Sequence, residues 1–425
     1  MGKNIIAAAF DFCDDFCQIS TFDGIGKEPK SVSTIYNDRR YLIPSVIWID
    51  ELSGQMVFGD EAVRCAEKGN GIKVTDIVSA LDKEEETEIK DKKYNSKELF
   101  SKYVSYLFKV LYDNTKSAGP EYVAVTFENA VDRKMMDIIV DVMKENDISE
   151  DNICVQTHTE SFMYYVISQS SDIWSNDVAL FDFSENYFKY RRMYVDKTRL
   201  PSIVRCEEQN LTELIPYEFL DNEDGKVMAD DTLCRYVQEH FKEHVVSAAF
   251  ITGSGFYKEW ADRSMGVICS KRRVFKGYNL FVKGACYAAM EKAGRVKYEH
   301  IKIMCGQRTD MTVSLVVGND DNEKYVVMSE EGTNWYEAGA YTEVIVDGAD
   351  MLKFRVDSVS ENIRKVYGIA LDEFPDRPPR TTRLGISVKY NSPQECVIRV
   401  VDKGFGEFFK SSGKVIEEVI SKEWR

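Results

Sequence analysis

IIAAAFDFCDDFCQIS (Ile5 to Ser20) and VALFDFSENYFKYRRMYV (Val178 to Val195) are the two stretches whose reading decides the fold. Each runs an apolar strand into Phe-Asp-Phe, breaks at a short polar turn, and resumes as a second strand. An Asp at the end of a buried strand, beside a tight turn, is where a fold holds a metal-bound phosphate. Closing backbone N–H groups around phosphate oxygens then calls for Gly and Thr in the turn, because small residues permit that approach. Here the turns carry Cys13, Asp14, Asp15 and Phe16 in the first stretch, and Ser184, Glu185, Asn186 and Tyr187 in the second. The pattern predicts the scaffold of a nucleotide site with its phosphate-contacting residues altered.

Working outward from the first hairpin, Tyr41–Ile49 and Gln55–Gly59 read as further strands. Leu81–Asn95 is charged and reads as a solvated loop. Ser96–Lys116 has apolar residues at helical spacing, with Ser96 as the predicted N-cap. A strand over Tyr122–Phe127, a helix over about Asp132–Asn146, a strand over Ile153–Gln156 and a helix over about Thr159–Gln169 follow. This alternation predicts a mixed α/β domain. The second hairpin opens a similar series: a helix around Asp231–Glu243, a strand over Ser247–Thr252, a Gly253-Ser254-Gly255 turn and a helix over Tyr278–Lys292. Two hairpin-led halves predict two related lobes facing each other across a cleft. Beyond about residue 300 the period falls to two, as in Leu384, Ile386, Val388 and Tyr390, which predicts an antiparallel sheet with one wet face. The expected boundary lies at 295–310.

With 425 residues and 44% apolar content, the chain is long enough for several cores. Its formal charge of -16 argues against a nucleic-acid or anionic-membrane partner, since both reward clustered Lys and Arg. The ten cysteines include no CxxC pair, and nothing completes a zinc site around Cys13 and Cys17. Reduced thiols and a cytoplasmic location are expected. No apolar run approaches a membrane span. His240 and His244 share a helix face without a third ligand at zincin spacing, so a solvated face is the expected reading.

These motifs, in their serial order, resemble the actin and DnaK-type (seventy-kilodalton) heat-shock chaperone superfamily. The two hairpins are similar to its phosphate hairpins. RYLIPSVIWID (Arg40 to Asp50) with FGDEAVRCA (Phe58 to Ala66), EYVAVTFENAVDR (Glu121 to Arg133) and VQTHTESFMYYVIS (Val155 to Ser168) resemble the segments between them. AAFITGSGFYKEW (Ala248 to Trp260) looks like the adenosine turn, and NLFVKGACYAAM (Asn279 to Met290) like the closing helix, with Gly284 at its tight packing point. Gly368 to Phe409 resembles the chaperones' substrate-binding β-sandwich, although the chain stops at Arg425 without the helical lid. The resemblance implies a two-lobed actin-like ATPase (ribonuclease-H-like) fold over 1–300, with lobes at about 1–175 and 176–300. A C-terminal antiparallel β-sandwich over 308–425 is implied after it.

The departures from the family fall on its chemistry. Acids stand at Asp14, Asp15 and Glu185, where the family has Gly and Thr. A carboxylate about 4 Å from a phosphate repels it by about 4 kcal/mol at an effective dielectric near 20. The family's catalytic Lys aligns near Val63, and its water-positioning Glu aligns with Thr157, with Glu160 one turn later. Asp11 and Asp182, which lie beneath the metal in the family, survive with Gly253, Ser254, Gly255 and Gly284 as the nucleotide or metal candidates. The favoured reading of Asp11 and Asp182 is structural, as strand-end turn formers bonding backbone amides, and that of Gly253-Ser254-Gly255 is a strand-to-helix turn that needs positive φ. Cys13 at its turn has no nearby His in sequence, and its acidic neighbours argue against a nucleophile. The expected function is a chaperone-like pseudo-ATPase with no required cofactor, ATP and magnesium being doubtful, and with a polypeptide partner. That partner is expected at the tail, where Trp335, Tyr336, Phe405, Phe408 and Phe409 lie in or beside turns. The alternatives are a slow ATP-dependent chaperone with acidic phosphate loops and an actin-like scaffold or filament protein.

Overall fold

The computed structural model describes residues 5–33, 41–83, 86–89, 92–117, 119–318, 322–358 and 362–421. They form a mixed α/β structure in two compact units, residues 1–303 and 304–425. Arg40, the first residue of the Arg-Tyr-Leu-Ile-Pro-Ser motif, and part of Leu81–Asn95 lie outside the described residues.

The first unit is built on two six-stranded sheets with a common plan. In the first, Ile5–Phe12 pairs antiparallel with Phe16–Phe22 and parallel with Pro120–Phe127, which pairs parallel with Ile153–Thr157. In the second, Asp177–Ser184 pairs antiparallel with Tyr187–Asp196 and parallel with Val246–Thr252, which pairs parallel with Arg273–Lys276. Asp11 sits between Gln18 and Thr126, and Asp182 between Lys189 and Thr252, so the two carboxylates hold equivalent places. The central strands are apolar and buried almost throughout, as strands covered on both faces must be.

Two helices meet where the sheets approach. His158–Ile167 begins after Thr157, whose hydroxyl accepts from the Glu160 N–H, and Leu280–Lys292 packs across it. Their closest approach is set by Gly284, where an added Cβ would lie 1.8 Å from the Ser161 carbonyl oxygen. Because the obstacle is backbone, Gly284→Ala is expected to destabilise the first unit by about 3 kcal/mol, the upper end for overpacking. Chemical denaturation checks this, and a loss below about 1 kcal/mol would mean that the crossing relaxes.

Three local readings change. The N-cap of Ser96–Thr115 is Asn95, whose side chain accepts from the Glu98 N–H at 2.8 Å, one residue before Ser96. The helix read from Asp231 starts earlier, at Glu223, capped by Asn222. Leu81–Asn95 is not a plain loop: Ser79–Lys83 is helical, and Glu86–Ile89 pairs with Lys92–Asn95.

The second unit contains two four-stranded antiparallel sheets, Lys324–Ser329, Thr312–Val317, Met351–Ser358, Ile363–Ala370 and Gly339–Val346, Thr382–Ser392, Glu395–Asp402, Val415–Ser421. Both contribute to one core, which includes Phe354 and Val356 from one and Leu384, Ile386 and Ile398 from the other. Among the described residues no helix is long and apolar enough to cross a membrane.

Candidate functional site

Asp11 and Asp182 are both buried, and each is already paired. His158, the first residue of its helix, brings Nε2 to 2.8 Å from Asp11 Oδ1. The Cys13 thiol donates to the same oxygen at 3.8 Å. Arg191 reaches across from the second strand of its own hairpin. Its Nη1 donates to Asp182 Oδ2 at 3.0 Å, and its Nε donates to Glu208 Oε2 at 2.7 Å and Thr159 Oγ1 at 3.1 Å. Burial pushes the Asp182 carboxyl up, against the pull of Arg191. Glu208, although burial opposes it, is held below the usual carboxylate range by Arg191 and Lys189.

These contacts tie the two sheets of the first unit together. Lys189 Nζ lies 2.9 Å from Glu128 Oε1 and 3.2 Å from Glu208 Oε1, bridging the second hairpin to the end of Pro120–Phe127. Gln18 Nε2 donates to the Tyr278 carbonyl at 2.7 Å, and Asn279 Nδ2 donates to Ser31 Oγ at 2.8 Å. Phe281 stacks on the His158 ring at 4.0 Å, while the Arg191 guanidinium carbon lies 5.7 Å from the centre of the Phe281 ring.

Between the carboxylates remains a cavity of about 110 Å³, lined by Asp11, Cys13, His158, Asp182, Tyr187 and Phe281 among others. A second cavity of about 390 Å³ lies against both turns, and its wall carries Asp14, Asp15, Glu128, Asp132 and Glu185. In the first turn the Cys13 N–H donates to the Phe16 carbonyl at 2.9 Å, and the Ser45 hydroxyl donates to the Cys13 carbonyl at 2.8 Å. Asp14 is not simply a free charge facing a ligand. Its carboxylate accepts from the Ser79 N–H at 3.0 Å and from the Ser79 hydroxyl, which anchors the start of Ser79–Lys83. In the second turn Ser184 pairs with Tyr187, leaving Glu185 and Asn186 as exposed tip residues. Burial, reinforced by Asp11, Asp15 and Asp182, pushes the Cys13 thiol well up, which opposes a nucleophilic thiolate.

Gly253 and Ser254 line the smaller cavity. Gly253 has φ +95°, and a Cβ there would lie 2.2 Å from the Phe183 carbonyl oxygen. A Cβ at Gly255 would lie 2.5 Å from the Phe183 ring, so both glycines answer to packing. Val63 packs in a small cluster with Val46, Trp48 and Ala62, while Arg64 is exposed. Glu160 is buried. His240 stacks on Tyr236 at 3.9 Å, and His244 lies 3.9 Å from Asp177.

The tail aromatics separate. Trp335 is 2% exposed, donates to Gln307 Oε1 at 3.2 Å and fills the core of the second unit, so it is not the surface aromatic expected from its turn. Tyr336 is half-buried against the same core. Phe405 is 39% and Phe408 94% exposed, on a tight loop closed by Phe405 N–H donating to the Phe409 carbonyl at 2.6 Å.

Sequence reasoning missed Arg191, Lys189 and Glu208. The signal was in the hairpin: in FKYRRMYV, Lys189 and Arg191 alternate with Phe188 and Tyr190. The register that sets Asp182 opposite Lys189 puts both cations on the carboxylate's face.

Two family descriptions match the chain: "Family of unknown function (DUF5716) C-terminal" over residues 28–306, and "Domain of unknown function (DUF8552)" over residues 308–422. No curated protein matches it.

Proposed function

The chain belongs to the DUF5716 family, and we propose that it is a chaperone-like protein whose nucleotide cleft is closed by its own side chains. In this reading the first unit is an actin-like, two-lobed domain that does not turn over ATP. The second is a β-sandwich that binds a polypeptide partner. The observation that carries the reading is Arg191. Its guanidinium is fully buried and pairs with Asp182, one of the two carboxylates that would otherwise stand under a metal-bound triphosphate.

The residues present do not fit magnesium-ATP. Ligand pockets usually measure about 300–1,000 Å³, and the cavity between Asp11 and Asp182 is about 110 Å³. The larger cavity beside the turns, at about 390 Å³, is large enough for a ligand, but its wall carries Asp14, Asp15, Glu128, Asp132 and Glu185 against Lys83, a balance that repels phosphate. Without a ligand that prefers one lobe arrangement over another, nucleotide has no means of driving a conformational cycle. Partner binding should then be independent of ATP. Phe405 and Phe408, displayed on a loop of the second unit, supply the apolar anchors.

Capture of a partner by the full chain is therefore expected to be the same with and without magnesium-ATP, and to be lost in Phe405→Ser/Phe408→Ser. Release on adding ATP would favour the slow ATP-dependent chaperone instead. Capture unaffected by the double substitution would remove the loop from the binding surface.

A further inference from the structure

We propose that Asp11, Cys13 and His158 form a binding site for one zinc ion. A carboxylate oxygen, a thiol sulfur and an imidazole nitrogen from these residues all lie within 4.8 Å of one another. Asp11 Oδ1 is 2.8 Å from His158 Nε2 and 3.8 Å from Cys13 Sγ. Tetrahedral zinc holds oxygen and nitrogen at about 2.0–2.2 Å and sulfur at about 2.3 Å, which spaces neighbouring donors by roughly 3.3–3.8 Å. The Asp11–Cys13 separation stands at the upper end of that range, and the Asp11–His158 hydrogen bond, at 2.8 Å, is shorter than it. An ion would replace the proton of that hydrogen bond and open the pair by roughly 0.5 Å, which side-chain rotation can supply.

The donors sit on or beside regular, largely buried elements. Asp11 lies in the buried strand Ile5–Phe12, and Cys13 lies just past its end. His158 begins the helix His158–Ile167, and stacking on Phe281 fixes the plane of its ring. The ring is 1% exposed, and Nδ1 has no hydrogen-bond partner among the described residues. All three donors line the cavity of about 110 Å³. A water molecule takes about 30 Å³, so the cavity has room for the ion and for a water as fourth ligand. Three protein ligands with one open position is a familiar zinc arrangement.

The donor set also selects the metal. Magnesium and calcium take shells of oxygen, whereas sulfur and imidazole nitrogen favour zinc and its neighbours. The cleft would thus hold a metal tied to the chain's own residues, in place of one carried in with a nucleotide. This claim is separate from the loss of ATP binding, and either can fail without the other.

The test is a cobalt titration of the chelator-treated full chain, with zinc added afterwards to displace the cobalt. One equivalent is expected to give a thiolate-to-cobalt charge-transfer band that zinc abolishes. Cys13→Ala should lose the band and weaken zinc by more than about tenfold, while Cys269→Ala, at an exposed cysteine, should keep both. His158→Gln provides a second arm and should weaken zinc comparably. Absence of a saturable cobalt spectrum in the wild type would overturn the proposal, as would a band that survives Cys13→Ala or disappears with Cys269→Ala.

Discussion

Replacing Arg191 by Met should destabilise the first unit by about 3–5 kcal/mol, the range for removing one partner of a buried ion pair. The guanidinium is fully buried and serves Asp182, Glu208 and Thr159 together. Met preserves much of the volume, so the loss reports charge left without a counter-ion. Asp182 is the more deeply buried of the two acids, and burial already raises its carboxyl. Without Arg191 that raising grows. A carboxyl raised in the folded state weakens the protein where it ionises, at higher pH, and costs nothing once protonated in both states. The defect should therefore shrink as the pH is lowered toward the ordinary carboxylate range. Asp182→Asn added to Arg191→Met should recover part of the loss, since it removes the stranded charge. Denaturant titrations that follow the first unit's transition provide the measurement. A defect that is independent of pH and unrelieved by Asp182→Asn would mean that Arg191 acts through packing alone.

A loss of similar size is expected in the second unit for Asp402→Ala. The Asp402 side chain is fully buried, and its two oxygens accept from Arg377 Nη1 and Nη2 at 2.8 Å each. It also accepts from the Gly404 N–H at 2.9 Å and the Ser412 N–H at 2.7 Å. Truncation strands a nearly buried guanidinium and two backbone donors, which should cost about 3–5 kcal/mol. Burial opposes the charge of Asp402, but Arg377, Ser412 and Gly404 hold its carboxyl far below the usual range. Its folded-state pKa is depressed, so its contribution is complete above the unfolded value of about 3.9 and is lost as the pH falls below it. Wild-type second unit should weaken in acid through this group, whereas Asp402→Ala should lose that part of its acid sensitivity. Equal acid sensitivity in both would place the acid-labile contact elsewhere.

The strand pattern was legible because burial leaves a simple trace. Ile5–Phe12 and Asp177–Ser184 are apolar runs, and Leu384, Ile386, Val388 and Tyr390 alternate along Thr382–Ser392 as buried positions. The ribbon Glu86–Ile89 with Lys92–Asn95 left no such trace. Its sequence is mostly charged and polar, and Tyr94 is the buried ring among its described side chains. In the candidate site, Asp11 and Asp182 could be read from the ends of their strands. Their partners could not be read as easily. His158 meets Asp11 across 147 positions of sequence, and Arg191, between Tyr190 and Arg192, can be given a face only once the hairpin register is known. Trp335 misled for the opposite reason, since a turn residue's ring can point inward as readily as outward.

On the proposal that Arg191 and its partners close the cleft, the full chain takes no nucleotide. Isothermal titration of magnesium-ATP into the full chain tests it most directly. The expected result is no saturable heat up to millimolar ATP, with no rise in melting temperature beside it. Bound ligand at a hundred times its dissociation constant would add about 2.7 kcal/mol, which a melting curve registers readily. Stoichiometric binding at micromolar affinity would rule out a closed cleft, because Arg191 would then have to give up Asp182 to a metal-bound phosphate.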